Sequence, residues 1–243
     1  MMTDTINALC PRCRAEGELE LPPVGTAGPL VCPNCGCLIT AVSVRNWKSA
    51  TEEKVAYMMT LQACGAIGTR KQDHSRSDAD VSRDGLEAEL AACLMLCPGY
   101  RQAWLRHSGP NRGCDLPTKW TGLPKPVEVK TTRHYGDTTG YLVIRPPRWT
   151  PGRMRPEYID DCLYVLLLRT DCDGWYRLLG WATRDLLLLC GRLNPIAVRP
   201  GQRETWGVHW RRLFGPQALL RLRVTAGQRS AEAPAERVVT GKC

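Results

Sequence analysis

Asp115 stands thirteen positions ahead of Glu128-Val129-Lys130, and Cys10-Pro11-Arg12-Cys13 stands eighteen residues ahead of Cys32-Pro33-Asn34-Cys35-Gly36. The first set suits hard-cation chemistry. Carboxylate oxygens hold Mg²⁺ or Mn²⁺, ions that bind through a few carboxylates and keep positions for water and phosphate. A lysine beside them can orient a water or offset charge on a phosphate, so the chemistry expected is metal-assisted cleavage of a phosphodiester. The second set suits thiolate chemistry. Two C-x₂-C pairs at this separation read as a zinc ribbon, with Cys10, Cys13, Cys32 and Cys35 as tetrahedral ligands. Cys37 is a spare or an alternative fourth ligand.

The elements that must position the carboxylates can be read around them. In "VEVKTT", Val127 and Val129 alternate with Glu128 and Lys130, which predicts a strand sending Glu128 and Lys130 from one face. The Pro/Gly-rich "PTKWTGLPKP" folds the chain back as a hairpin, so that Asp115 meets Glu128 on a neighbouring strand. By itself an E-x-K strand is most often a solvated face with a weak ion pair. The segment before it adds weight. "SRDGLEAELAACLMLC" predicts a helix capped by Asp84 with Glu87 in a capping box. Leu86, Leu90, Cys93, Leu94 and Cys97 form its apolar face, flanked on opposite sides by Glu87 and Glu89, either of which can supply a further carboxylate. Downstream, strands are expected over residues 140–146, over 162–170 as a central strand buried on both faces, and over 175–183, all in one sheet. Thr183 is placed to cap a closing helix that ends at Gly191.

A helix carboxylate, then an Asp, then Glu-x-Lys on a strand resembles the PD-(D/E)XK nuclease superfamily, which includes restriction endonucleases and archaeal-type Holliday-junction resolvases. The residues carrying the resemblance are Glu87 or Glu89, Asp115, Glu128 and Lys130, over roughly residues 83 to 190. "LEAEL" looks like the resolvase first helix, which selects Glu87; "AELA" looks like phage-type members, which selects Glu89. The Pro of the superfamily's name is absent before Asp115. The resemblance implies an α/β fold with a restriction-endonuclease-like core, a mixed central sheet flanked by helices. It also implies that Asp115, Glu128 and the Val129 carbonyl hold Mg²⁺ or Mn²⁺. Glu87 or Glu89 serves as a direct or water-mediated ligand, and Lys130 positions the attacking water. The expected activity is that of a Mg²⁺-dependent deoxyribonuclease; the alternative is a non-catalytic zinc-ribbon nucleic-acid-binding protein on a degenerate nuclease fold.

The expected organisation is a zinc ribbon over 1–45, a connecting helix and polar loop over 46–82, the nuclease-like domain over 83–224 and a disordered tail over 225–243. The helix of the connector starts at Ser49-Ala50-Thr51-Glu52 and runs to about Cys64. A ribbon of about forty residues buries little core, so bound zinc must supply its stability. A formal charge of +9 fits a polyanionic partner. The expected partner is DNA, with RNA and a homodimer left open and no membrane. Arg145, Arg148, Trp149, Arg153 and Arg155 form a proline-rich basic loop suited to phosphates and a stacked base. His74 and His134 are weaker candidates. The remaining cysteines, Cys64, Cys93, Cys97, Cys114, Cys162, Cys172, Cys190 and Cys243, are expected to pack as small hydrophobes. With no secretory leader or membrane-length apolar run recognised, thirteen cysteines point to a reducing cytoplasm.

Overall fold

A computed structural model describes residues 4–64, 78–107, 115–133, 141–144, 161–170, 174–190, 192–193 and 206–223. Among these, strands β1 (Thr5–Leu9), β2 (Glu16–Glu20), β3 (Ala41–Ser43), β4 (Val127–Arg133), β6 (Leu163–Arg169) and β7 (Trp175–Thr183) form a six-stranded sheet in the order β2-β1-β3-β7-β6-β4. Its neighbours are antiparallel except for β4 and β6, which run parallel. The protein is therefore mixed α/β, with helices α1 (Lys48–Ala63), α2 (Asp78–Leu96) and α3 (Arg101–Arg106) grouped beside this sheet.

Strand β6 explains the layering. Leu163 through Leu167 are all buried, as a strand covered on both faces must be. Leu163, Val165 and Leu167 point into the main core with α2, whereas Tyr164 and Leu166 point into a second cluster on the back of the sheet. That second cluster corrects one expectation. Strand β5 (Tyr141–Ile144) lies outside the six-stranded sheet and pairs with β9 (Trp206–His209), which also pairs with β8 (Arg192–Leu193). Leu142 and Val208 from this small sheet close over Tyr164, Leu166, Ala182 and Leu187, the last from α5 (Arg184–Cys190). An apolar four-residue strand suits either role; the need to cover the back of β6 decides it. The Thr183 hydroxyl accepts from the Leu186 N–H (3.2 Å) and caps α5 as its sequence predicts.

Helix α2 also departs from expectation. It begins at Asp78, so Asp84 lies within it and is no N-cap. Its second half is apolar all round: Leu90 through Leu96 are buried without exception. The sheet covers one side, while α1, α3 and the N-terminal segment cover the others, with the Leu30 N–H donating to the Met95 carbonyl (2.8 Å).

The cysteine-bearing N-terminal segment is continuous with the rest. Strands β1 and β2 extend the sheet through β3, which pairs with β7, and Ile6, Ala8, Leu30, Leu38 and Val42 belong to the same core as Leu90 and Val165. Arg101 fastens this junction: its guanidinium donates to Asp4 (2.6 Å) and to the Pro22 (3.0 Å) and Pro98 (3.1 Å) carbonyls.

Candidate functional site

The carboxylate set forms around the outer edge of β4, the last strand of the sheet among the described residues. The chain leaves Leu116, makes one helical turn over α4 (Thr118–Thr121), reverses at Gly122 (φ 65°) and returns as β4. Leu116 and Val127 exchange backbone hydrogen bonds of 3.0 and 2.9 Å, which closes the fold-back expected between Asp115 and Glu128. Asp115 is thereby held beside the strand, where its carboxylate accepts from the Val129 N–H (2.7 Å). The contact Val129 makes with Asp115 is through this N–H.

Register separates the other two carboxylates. Glu128 and Lys130 sit opposite Tyr164 and Leu166, so they project from the back face, while Val127 and Val129 face α2. Lys130 donates to Glu128, both side chains being partly buried. Glu89 approaches from α2, and Asp115, held at the strand edge by the Val129 N–H, feels the charge of both Glu89 and Glu128. Burial, then the negative charges of Glu89 and Glu128, push the Asp115 carboxyl well above the usual carboxylate range. The Val129 N–H and the Lys130 ammonium pull against that shift.

Of the two helix carboxylates, Glu89 is the one whose charge acts on Asp115. Glu87 turns toward the opposite side, where it accepts from the Tyr176 hydroxyl (2.9 Å) and lies 3.8 Å from Arg169. Sequence reasoning missed a further member, Lys54 of α1. Its side chain is 2% exposed, and its ammonium lies 3.5 Å from Glu89 and 3.8 Å from the centre of the Trp104 ring. Burial lowers its pKa, opposed by Glu89, Cys93 and Asp115. A lysine in a helix read as a connector carries no signal of such a role.

The thiol site is tighter. Cys10, Cys13, Cys32 and Cys35 bring their sulfurs within 4.8 Å of one another, the only such set of three or more Cys, His, Asp or Glu ligand atoms among the described residues. Tetrahedral zinc with bonds of roughly 2.3 Å separates sulfurs by about 3.8 Å; Cys10–Cys35 is 3.5 Å and Cys13–Cys32 is 3.6 Å. These four cysteines can hold a metal such as zinc.

Two matching turns present the thiols. In each, the N–H of the residue after the second cysteine bonds the carbonyl of the first: Arg14 to Cys10 (3.0 Å) and Gly36 to Cys32 (2.8 Å). Both of those residues are left-handed, at φ 57° and 67°. Burial alone would raise the Cys10 thiol, but the Cys13 and Arg12 N–H groups and neighbouring thiols bring it down to about 6. Cys13 is pushed up to about 12: the Ala15 N–H favours its thiolate, but the neighbouring thiols Cys10 and Cys32 outweigh it. Such crowded thiols ionise together only beside a cation. Cys37 stands outside the set, its sulfur 4.0 Å from an Arg12 nitrogen.

Of the other cysteines, Cys93, Cys97 and Cys162 are buried, Cys190 is half-buried and Cys64 is exposed, against the packing expected for it. Cys64 ends up outside because it follows the last turn of α1. Cys114, Cys172 and Cys243, His74 and His134, the basic loop from Arg145 to Arg155, and the tail lie outside the described residues. No helix among the described residues is long and apolar enough to cross a membrane. Comparison of the chain with protein-family models, curated proteins and solved structures finds no match.

Proposed function

We propose that the chain is a metal-dependent nuclease that hydrolyses DNA phosphodiester bonds, with its four-thiol ribbon holding structural zinc and docking DNA or a partner. The observation that carries this reading is the seat of Asp115, beside Val129 at the edge of β4, where Glu89 and Glu128 act on it together. Carboxylates held this way repel one another, and a divalent cation relieves that repulsion. Their hard oxygens match Mg²⁺ or Mn²⁺, with Asp115 and Glu128 as the first candidates to ligate it. Such an ion supplies acidification of a bound water and neutralises charge on the phosphate. Lys130 shares a face with Glu128 and is only partly buried, so its ammonium can hold the attacking water or a phosphate oxygen. The resemblance to the PD-(D/E)XK superfamily supports the same assignment, and a restriction-endonuclease-like core is proposed on that ground.

The test is incubation of plasmid and oligonucleotide DNA with the zinc-loaded protein and Mg²⁺ or Mn²⁺. Cleavage is expected for the wild type. Lys130→Ala is expected to slow it by about 10² or more, the scale of a lost proton-handling or charge-stabilising group, with DNA affinity within about twofold. A fully active Lys130→Ala protein rejects the assignment.

A second reading has its own observation. The ion pairs Lys54–Glu89 and Lys130–Glu128 neutralise two of the three carboxylates, and the thiols are the tighter ligand set. That pattern suits a non-catalytic zinc-ribbon nucleic-acid-binding protein. DNA binding without cleavage under any divalent metal selects it.

A further inference from the structure

Helix α1 contributes no ligand to either site, yet it places a single ammonium beside the carboxylates. Lys54 is almost completely buried, pinned between the Glu89 carboxylate at 3.5 Å and the face of Trp104 at 3.8 Å. Stability does not explain a lysine there. Burying an ion pair costs several kcal/mol per ion in desolvation, and an apolar side chain of the same volume commonly serves as well or better. The charge balance suggests a different role. Three carboxylates, Glu89, Asp115 and Glu128, face two ammoniums, Lys54 and Lys130. Lys130 sits on a partly open strand edge and can exchange its partner. Lys54 cannot, because Trp104 and Glu89 enclose it. Glu89 is therefore restrained on the helix side, and the three carboxylates do not close to within 4.8 Å of one another as the thiols do.

We propose that Lys54 is a positioning residue that holds Glu89 back as a water-mediated ligand, leaving direct coordination to Asp115 and Glu128. The inference rests on the metal-dependent nuclease reading. Loss of the Lys54 charge removes the ion pair that draws Glu89 to the helix side, and the cation then competes for the carboxylate directly, filling a position that the attacking water or the phosphate needs. Loss of Lys54 should thus strengthen metal binding while weakening catalysis. A residue that only packs would move neither quantity.

The experiment is Mn²⁺ titration by calorimetry on the zinc-loaded full chain, beside steady-state DNA cleavage. Lys54→Met is expected to bind Mn²⁺ about tenfold tighter, the sign required when a buried positive charge leaves a cation site. Its kcat is expected to fall about tenfold with KM for DNA unchanged, as for an interaction used only in the chemical step. Lys54→Arg keeps the charge and should retain wild-type Mn²⁺ affinity within about twofold. Adding Glu89→Gln to Lys54→Met should abolish the tightening, the non-additivity expected if Lys54 acts through Glu89. If Lys54→Met does not fold, Lys54→Gln carries the same comparison.

Unchanged Mn²⁺ affinity in the neutral variant, or tightening that survives Glu89→Gln, overturns the proposal and leaves the nuclease reading intact. A wild type with no Mn²⁺ site sensitive to Asp115→Asn overturns both.

Discussion

Glu87 and Glu89 are about 200° apart around α2, since successive helical residues turn by roughly 100°. Periodicity thus places them on opposite flanks of the apolar face but does not say which flank meets the sheet edge; with Asp115 folded back onto β4, it is the Glu89 charge that bears on it, while Glu87 pairs with Tyr176. Asp115, Glu128 and Lys130 were legible because a two-residue period and a proline-rich reversal are local properties. Lys54 was not, because its neighbours come from α2 and α3, which only folding brings together. Asp115 also yields a prediction about pH. Its folded-state pKa lies above its unfolded one, so its contribution to stability is complete below the unfolded value, about 4, and is lost as pH rises through the folded value. Asp115→Asn keeps a side-chain oxygen for the Val129 N–H and removes that loss. At neutral pH without added Mg²⁺, the variant should melt higher than the wild type, and its stability should fall less as pH rises from about 4. On the proposed nuclease reading, the variant should also lose DNA cleavage. Thermal melts across pH beside a cleavage assay measure all three, and a less stable Asp115→Asn protein would contradict the charge crowding described for the site.

The two thiol turns show how far an element can be read from its letters. The double C-x₂-C fixes which sulfurs converge, and Gly36 announces the left-handed residue that ends the second turn. The first turn makes the same backbone bond with Arg14 in that position. A side chain in the left-handed region costs roughly 1–2 kcal/mol, partly offset because glycine loses more entropy on folding. Arg14→Gly should therefore stabilise the protein by up to about 1 kcal/mol. Gly36→Ala should destabilise it by about 1 kcal/mol, through the backbone alone, since nothing lies within 4 Å of an added Cβ. Denaturant midpoints of the two variants check both signs. Strand β5 and the start of α2 were less legible. Four apolar residues do not state which sheet they join, and a polar first turn such as "DADV" resembles a loop until α2 is seen to continue through it.

At the scale of the whole molecule, the ribbon was expected to stand on zinc alone because about forty residues bury little. Ile6, Leu30, Leu38 and Val42 instead complete a core that reaches α2 and β6, so a metal held by the four thiols would reinforce a structure that apolar burial already supports. The joint is close-packed at Gly99, where an added Cβ would fall 2.2 Å from the Thr26 oxygen and 2.7 Å from its nitrogen. Gly99 also accepts from the Gly25 N–H (2.7 Å), so the two backbones cannot part without losing that bond. Gly99→Ala should cost about 3 kcal/mol, the upper range for overpacking against immovable atoms. Zinc removal tests the same coupling from the other end. Were the ribbon an independent unit, stripping its metal would unfold residues 4–44 and leave amide protection in β6 and β7 unchanged. Because β3 pairs with β7 and Cys10 and Cys32 lie in the shared core, the loss should spread: amides of β7 and the last turns of α2 should exchange faster in the zinc-free protein, with the transition still a single one. Gly99→Ala should blunt that response by loosening the joint beforehand. Hydrogen exchange on both proteins, with and without zinc, decides the matter, and undiminished β7 protection after zinc removal would show that the shared core does not carry the coupling.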